Sequence, residues 1–262
     1  MKILKHAREK SGRAKRRRTE DFSPACFRIL LAHNSMIEVK KLVKTFKNGS
    51  VETRVLKGID FAVSDGEFIA IMGRSGAGKS TFLYQMSLLD EPTSGDVLVD
   101  GHSTREMTDA EEVIFRLQKF GYVFQDYALL PDLTAIENVA LPLLMQNLIS
   151  IEAYKKADDA LTKMGLGHRL YNLPSQLSGG EQQRVSIARA IAHNPKVLFA
   201  DEPTANLDNE SSALIMDIFK RLHKEGQTII MVTHEIQYAK RADRVVKFDD
   251  GKIISIEQQT IE

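Results

Sequence analysis

A glycine-rich stretch at residues 73–81, GRSGAGKST, contains the residue types that bind phosphate. It fits the pattern G-x-x-x-x-G-K-[ST] and stands between an apolar run, EFIAIMG, and a helical run, TFLYQMSLL. In that context glycines let backbone N–H groups face a polyphosphate, the lysine reaches the β and γ phosphates, and the serine ligates Mg²⁺. The predicted nucleotide-binding residues are therefore Gly73, Arg74, Ser75, Gly76, Ala77, Gly78, Lys79, Ser80 and Thr81.

Two carboxylates follow a second apolar run in VLFADE, residues 197–202. A carboxylate at the end of a buried strand suits magnesium, and a second one beside it suits the activation of an attacking water. We therefore assign Asp201 to the metal and Glu202 to the general base. The pair alone is moderately specific, because acidic residues also end strands that simply meet a turn. The guanine-reading pattern N-K-x-D is absent from the sequence, which argues against a GTPase.

A second glycine-rich stretch, LSGGEQQR at 177–184, precedes the helical run VSIARAIAH. A serine and two glycines at a helix start expose a hydroxyl and N–H groups, which favours an anion. A glycine-rich helix start is also frequently only a cap. Because the triphosphate is already assigned to Lys79, this second stretch has no evident ligand within its own chain.

The composition is that of an ordinary globular α/β protein, with 262 residues, 43% hydrophobic and 27% charged. No apolar run approaches the roughly eighteen residues that a membrane-spanning helix needs, so no span is expected. Cys26 is the single cysteine, and the sequence contains no Cys/His cluster with metal-ligand spacing. This pattern argues against zinc and favours a reducing, cytoplasmic compartment.

Charge is distributed unevenly along the chain. Residues 1–35 contain ten Lys and Arg against three Asp and Glu, and because the whole chain carries +1, residues 36–262 carry a net −6. We predict that residues 1–35 are a basic, disordered extension, with a nucleic-acid or anionic-lipid tether and a translation start at Met36 as alternatives. The acidic remainder lacks the excess of Lys and Arg that is typical of nucleic-acid-binding domains, so no nucleic-acid partner is expected.

Strand and helix patterns alternate from residue 36 onward, which predicts an α/β fold with a largely parallel sheet. The runs at 37–46 and 54–63 alternate apolar and polar residues like antiparallel strands, whereas the run at 67–73 is continuously apolar, like a strand inside a parallel sheet. Further core strands are predicted at 96–101, 122–125, 196–201, 227–234 and 244–256.

The stretch at 126–180 has helical patterns only, and a capping-box pair, Thr134 with Glu137, marks a helix start there. A similar pair, Thr108 with Glu111, opens an earlier helix. We therefore predict one domain at 36–262: a P-loop core with a mostly parallel sheet, an antiparallel β subdomain, and an α-helical subdomain inserted at about 126–180.

Taken together, these motifs resemble those of the ATP-binding-cassette (ABC) ATPases over residues 36–256. GRSGAGKST is similar to the Walker A motif of that family, VLFADE to its Walker B motif, and LSGGEQQR to its signature motif. Four single residues extend the resemblance: Gln125 matches the Q-loop glutamine, Asp208 the D-loop aspartate, His234 the switch histidine, and Phe46 the A-loop position. At the A-loop position the family usually has tyrosine. Phe46 keeps the aromatic face that stacks on adenine but loses the hydroxyl.

The resemblance implies ATP and Mg²⁺ as cofactors and a head-to-tail homodimer that encloses two ATP molecules. In such a dimer the signature residues Ser178, Gly179, Gly180 and Glu181 contact the ATP held by the other chain. The remaining roles that the resemblance implies are catalysis by Glu202, His234 and Gln125, metal binding by Ser80, Gln125 and Asp201, and coupling of the two sites by Asp208.

Two longer stretches, TFKNGSVETRVLKGIDF and FQDYALLPDLTAIENVALPLL, are most similar to ATPases of the lipoprotein-releasing and macrolide-exporter groups, although Ala205 stands where these groups commonly have glycine. That similarity implies permease partners in the membrane, docked near Gln125–Met145, and a location on the inner face of the cell membrane. A regulatory cell-division-type ATPase is the alternative. A DNA-repair ATPase ranks low, because no coiled coil or zinc module separates Lys79 from Ser178.

Overall fold

The computed structural model of the chain describes residues 35–259, which contain two β-sheets. The strands are β1 (Ser35–Asn48), β2 (Val51–Ser64), β3 (Phe68–Gly73), β4 (Ser94–Val99), β5 (His102–Ser103), β6 (Phe120–Val123), β7 (Val197–Asp201), β8 (Thr228–Val232), β9 (Arg244–Asp249) and β10 (Lys252–Gln258). The helices are α1 (Lys79–Met86), α2 (Asp109–Lys119), α3 (Ala135–Met145), α4 (Ser150–Lys163), α5 (Gly179–Ile191), α6 (Asn209–Lys224) and α7 (Ile236–Ala239). The predictions for Cys26 and for the basic stretch before Ser35 lie outside the described residues.

The smaller sheet is antiparallel and has the strand order β2-β1-β4-β5. Its first two strands form the hairpin that the alternating sequence pattern predicts. Side chains on one face of that hairpin, such as Leu42, Leu56 and Val63, are fully buried, while their neighbours face outward. The predicted antiparallel β subdomain is therefore confirmed.

The larger sheet has six strands in the order β10-β9-β3-β8-β7-β6, and only the β10–β9 pair is antiparallel. All residues of β7 and β8 are buried, as their continuously apolar sequences predict for strands covered on both faces. The parallel neighbours are joined by crossovers that contain helices. The predicted P-loop core with a mostly parallel sheet is confirmed.

Residues 244–256, predicted only as a strand region, form the hairpin of β9 and β10. The chain reverses at Asp250 and Gly251, which have positive φ values of 44° and 71°. Such a turn suits the dipeptide Asp-Gly. The turn also braces the phosphate loop, because the Gly251 N–H donates to the Ala77 carbonyl at 3.0 Å.

The chain between β6 and β7 contains α3, α4 and α5, and no strand lies within that part of the described chain. The capping box at Thr134 forms as predicted, and α3 continues past Pro142. Buried side chains of the three helices, among them Val139, Ala157 and Val185, belong to one apolar core that extends to the large sheet. None of the helices within residues 35–259 combines the length and apolar character that a membrane span requires.

The close packing at Gly251 yields a stability prediction. A Cβ at this position would lie 2.1 Å from the Val55 carbonyl oxygen, whereas a Cβ at Gly49, also left-handed with φ 60°, would meet open space. Gly49→Ala should lower the free energy of unfolding by about 1 kcal/mol through backbone strain alone. Gly251→Ala should lower it by about 1–3 kcal/mol more, because the hairpin must shift. Equal losses in urea unfolding of the two variants would contradict this packing.

Candidate nucleotide-binding site

The predicted phosphate loop connects the carboxyl end of β3 to the start of α1, and glycines shape both ends. Gly73 ends β3, where a Cβ would lie 2.1 Å from the Phe248 carbonyl oxygen. Gly76 and Gly78 have φ values of 77° and 99°, a region that side-chain-bearing residues rarely adopt. Gly78 is the N-cap of α1, and no side chain caps that helix, whereas side chains cap α2, α3, α5 and α6. The N–H groups at the start of α1 thus keep free capacity for an anion.

Lys79 lies at the first position of α1 and is only 7% exposed. Its Nζ donates to the Arg74 carbonyl at 2.9 Å, which folds the side chain back over the loop. No carboxylate within residues 35–259 lies within ion-pair distance of this ammonium. Buried charges are normally paired, so the arrangement fits an anionic ligand in the loop.

The fold brings Ser80 and Asp201, two of the predicted magnesium ligands, together. The Ser80 hydroxyl donates to Asp201 Oδ1 at 3.0 Å, and Asp201 is 5% exposed at the end of β7. Burial raises the pKa of the Asp201 carboxyl, while its hydrogen bond with Ser80 opposes that rise. Burial, together with the nearby Asp201 charge, raises the pKa of the phenol of Tyr84 on α1. A desolvated carboxylate beside a serine hydroxyl is an oxygen donor set that suits Mg²⁺.

Glu202 and His234 also meet, at the ends of β7 and β8. His234 Nδ1 lies 2.9 Å from Glu202 Oε2, and the His234 side chain is 58% exposed while that of Glu202 is 21% exposed. The Glu202 backbone has a left-handed φ of 44°, held by donation of its N–H to the Val232 carbonyl. Strained backbone of this kind clusters at functional sites.

Gln125 lies two residues beyond β6 and is exposed, and its carbonyl accepts a hydrogen bond from Asn206 Nδ2 at 3.0 Å. The chain beyond it is fixed by Asn138, which is fully buried in α3. The Asn138 side chain accepts from the Leu130 N–H at 2.8 Å and donates to the Leu130 and Leu133 carbonyls at 3.1 Å and 2.9 Å. This segment is therefore an ordered part of the site rather than a free loop.

Ser178 is the N-cap of α5, so the cap interpretation of the second glycine-rich stretch holds within the chain. The Glu181 N–H donates to Ser178 Oγ at 3.2 Å, and the Ser178 N–H donates to Glu181 Oε2 at 2.9 Å, which lowers the pKa of the Glu181 carboxyl. In the capping boxes at Thr108 and Thr134, the hydroxyl also donates to the glutamate. Within residues 35–259 the Ser178 hydroxyl makes no donation of that geometry, but it lies close enough to the Glu181 carboxylate to help lower the pKa of that carboxyl.

Neighbouring side chains explain why residues 179 and 180 are both glycine. A Cβ at Gly179 would lie 3.0 Å from the Tyr127 hydroxyl, and one at Gly180 would lie 2.8 Å from Ser211 Oγ. Ser211 in turn donates its N–H to Asp208 Oδ1 at 2.7 Å, which caps α6 and lowers the pKa of that carboxyl. Ser211 therefore lies between Asp208, the predicted D-loop residue, and Gly180 of the signature motif within one chain.

Two predicted parts of the site make no hydrogen bond to the phosphate loop within residues 35–259. Phe46 lies near the end of β1, is 46% exposed, and has Lys44 Nζ 5.0 Å from its ring centre. Among the described residues no hydrogen bond joins Ser178–Glu181 to the loop at 73–81. Sequence reasoning did not single out Tyr84, Asn138 or Arg189, since an isolated polar residue in a helix carries no motif.

Comparison with known proteins agrees with this geometry. A family model described as ABC transporter matches residues 56–205. The chain is 48% identical, over 84% of its length and 99% of the relative, to an uncharacterized ABC transporter ATP-binding protein (MJ1508) of Methanocaldococcus jannaschii. It is 43% identical, over 86% of its length and 96% of the relative, to the lipoprotein-releasing system ATP-binding protein LolD of Aquifex aeolicus. It is also 45% identical to the macrolide export ATP-binding/permease protein MacB of Aggregatibacter actinomycetemcomitans, but spans only 35% of that protein.

Solved structures show the same fold. A dimeric post-hydrolysis state of the ATP-binding cassette MJ0796, bound to ADP and Pi, aligns with a TM-score of 0.81 and 39% identity over 87% of this chain and 100% of that one. The chain therefore belongs to the ABC transporter family, as an ATP-binding subunit that hydrolyses ATP.

The contacts of Asn138 predict its contribution to stability. Asn138→Ala leaves the Leu130 N–H and the Leu133 carbonyl without their partner, so the free energy of unfolding should fall by about 2–3 kcal/mol. Asn206→Ala removes one contact of an exposed side chain and should stay within about 0.5 kcal/mol of wild type. Urea unfolding of both variants checks this, and an Asn138→Ala protein as stable as wild type would show that the segment is held otherwise.

Proposed function

We propose that the protein works as a head-to-tail homodimer that encloses two ATP molecules and drives permease subunits in the membrane. The observation that carries the proposal is the division of the site: one group of residues surrounds the phosphate loop, while Ser178 lies in a separate turn of the same chain. A second copy is the simplest way to bring the two groups together.

In this proposal the phosphate loop, Gly73–Thr81, binds the triphosphate. Its left-handed glycines turn backbone N–H groups inward, and the buried Lys79 ammonium neutralises the β and γ phosphates. Phe46 offers an exposed aromatic face on which adenine stacks. The support for these roles is the uncapped start of α1 and the lack of a carboxylate partner for Lys79 among the described residues.

Magnesium fits the oxygen atoms of Ser80 and Asp201, with Gln125 as a third proposed ligand. The bound metal would neutralise charge that develops on the phosphates. Asp201 suits this position because burial already raises the pKa of its carboxyl, so a nearby cation would relieve the cost of its charge.

Glu202 is the proposed general base. Its carboxylate accepts a proton from the water that attacks the γ-phosphate, while the adjacent His234 Nδ1–H donates to that carboxylate and orients it. His234 is more than half exposed, so its second ring nitrogen is open to a ligand and donates to the γ-phosphate when it also carries a proton. The left-handed backbone at Glu202 fixes the direction of the side chain, which favours a catalytic over a purely structural role.

The second glycine-rich stretch completes the partner's site. Ser178 donates its hydroxyl to the γ-phosphate of ATP held by Lys79 of the partner subunit, and the N–H groups of Gly179, Gly180 and Glu181 add their dipoles. Asp208 caps α6 close to Gly180. We propose that it couples the nucleotide state of one ATP site to that of the other. The dimeric form of the similar cassette MJ0796 supports this arrangement.

The partners proposed for this motor are permease subunits, which bind at Gln125–Met145 on the cytoplasmic face of the membrane. Exposed apolar side chains in this range, Leu130 and Met145, support a docking surface. The similarity to LolD and MacB favours lipoprotein release or macrolide-type export as the process that is driven. Cargo selection would then belong to the permease.

Replacement of the proposed base separates binding from hydrolysis. Glu202→Gln keeps the shape of the side chain but cannot accept the proton, so the hydrolysis rate should fall by roughly 10²–10⁴-fold. ATP binding should persist, and the variant should accumulate as an ATP-bound dimer on size exclusion. Steady-state hydrolysis with Mg²⁺ checks the prediction, and hydrolysis at the wild-type rate would refute the role of Glu202.

Replacement of Ser178 tests the contribution of the second copy. Ser178→Arg should abolish hydrolysis, because the long cation blocks closure over the partner's ATP. Nucleotide affinity of the separate chain should stay within about threefold of wild type, a difference below about 1 kcal/mol. Ser150→Arg, at an exposed serine that starts α4, is the matched control and should hydrolyse normally. A sharp loss of ATP affinity in the monomeric Ser178→Arg chain would show that Ser178 serves its own site.

A further inference from the structure

A short segment after β6 adopts a backbone conformation that its residues disfavour. Tyr127 and Ala128 both have left-handed φ values, 64° and 48°, and neither is a glycine. Single left-handed residues of these types are uncommon, and two in succession need support from the surrounding structure. The segment begins with Gln125, so whatever holds this turn also sets the position of Gln125.

Arg189 provides that support from α5. Its Nη1 donates to the Ala128 carbonyl at 2.6 Å and its Nη2 donates to the Tyr127 carbonyl at 2.9 Å, so one guanidinium holds both left-handed residues. The planar fork of an arginine matches two adjacent acceptors, which the single ammonium of a lysine does not. The contact is therefore specific to the shape of the side chain as well as to its charge.

The guanidinium is not part of an ordinary ion pair. No carboxylate within residues 35–259 lies within ion-pair distance of Arg189, and burial lowers the pKa of its guanidinium. A partly buried cation satisfied by carbonyl groups contributes little as a general stabilising charge. Its partners are the backbone atoms of one turn, which favours a positioning role.

The same turn is tied to the D-loop region on its other side. Asn206 Nδ2 donates to the Gln125 carbonyl at 3.0 Å, and the Tyr127 hydroxyl donates to the Asn206 carbonyl at 3.4 Å. The Tyr127 hydroxyl also lies against Gly179, the first residue of α5. The turn thus touches both ends of α5 and the stretch that leads to Asp208.

We propose that Arg189 is a positioning residue for ATP hydrolysis: it holds residues 125–128 in the left-handed turn and so fixes Gln125 relative to the helix that begins at Ser178. The inference rests on the proposed function, in which Gln125 serves the chain's own ATP and Ser178 the partner's. One cation then sets the geometry of both half-sites, and their alignment on closure depends on it.

The test replaces Arg189 and follows both the turn and the reaction. Arg189→Lys keeps the charge but cannot hold both carbonyls, so backbone amides at 126–129 should exchange with solvent at least about tenfold faster, since a local opening becomes easier. The turnover number for ATP should fall by roughly 10–100-fold, while KM for ATP stays within about threefold, because the phosphate loop is untouched. A role in stability alone would leave turnover normal well below the melting temperature.

Two further variants make the result interpretable. Arg189→Ala should recover at least about tenfold in turnover when millimolar guanidinium, which can supply the missing fork, is added, and methylammonium should not restore it. Arg221→Lys is the matched control, because Arg221 also donates to a backbone carbonyl, that of Lys163, but from a different helix, α6. It should exchange and hydrolyse like wild type.

Unchanged amide exchange at 126–129 in Arg189→Lys, or unchanged turnover in that variant, would overturn the inference. Faster exchange with lower turnover and rescue by guanidinium would support it. Gln125→Ala, measured in parallel, separates this inference from the proposed function. If that variant hydrolyses ATP normally while Arg189→Lys still loosens the turn, the proposed role of Gln125 is the part that fails.

Discussion

The register of three adjacent parallel strands is the constraint on which the site depends. Val232 of β8 pairs with Ile71 of β3 on one side and with Asp201 of β7 on the other, so the three strands end at the same edge of the sheet. The chain leaves that edge as the phosphate loop, as the Asp201–Glu202 pair and as the turn that carries His234. A slip of one residue in either pairing would turn these side chains to the wrong face and separate them. Full burial of β7 and β8 makes such a slip costly.

A second constraint joins this edge to the helical part of the chain. Three polar side chains, Asn138, Arg189 and Asn206, hold the segment after β6 by its backbone groups. The segment therefore moves with α3, with α5 and with the stretch before α6, and not independently of them. In the proposed cycle this connection lets a rearrangement near Gln125 reach Ser178 through packed secondary structure. The physical basis would be the hydrogen bonds of these three side chains, of which those of Asn138 and one of Arg189 are partly buried.

Much of this could be predicted from the sequence, because the relevant signals are local. The continuous apolar run before Gly73 predicted a central parallel strand, and the pairs at Thr108 and Thr134 predicted helix starts that the structure confirms. The meeting of Ser80 with Asp201 and of Glu202 with His234 followed from motifs at strand ends. The left-handed turn at Tyr127 and its support by Arg189 could not be predicted, because they depend on contacts between residues about sixty positions apart whose types carry no pattern. The sequence likewise could not show why residues 179 and 180 are glycine within the chain, because the reason is the close approach of Tyr127 and Ser211 in the folded structure.

The central claim, that each ATP is completed by two copies of the chain, is tested most directly by mixing two inactive variants. Lys79→Ala removes the phosphate contact of one copy, and Ser178→Arg removes the contribution of the other, so each homodimer lacks both sites. In a mixed dimer the Ser178→Arg chain binds ATP and the Lys79→Ala chain supplies an intact Ser178, which leaves one complete site. The account predicts that hydrolysis reappears on mixing and rises with the fraction of mixed dimers. A mixture as inactive as its components, in which mixed dimers are shown to form, would contradict it.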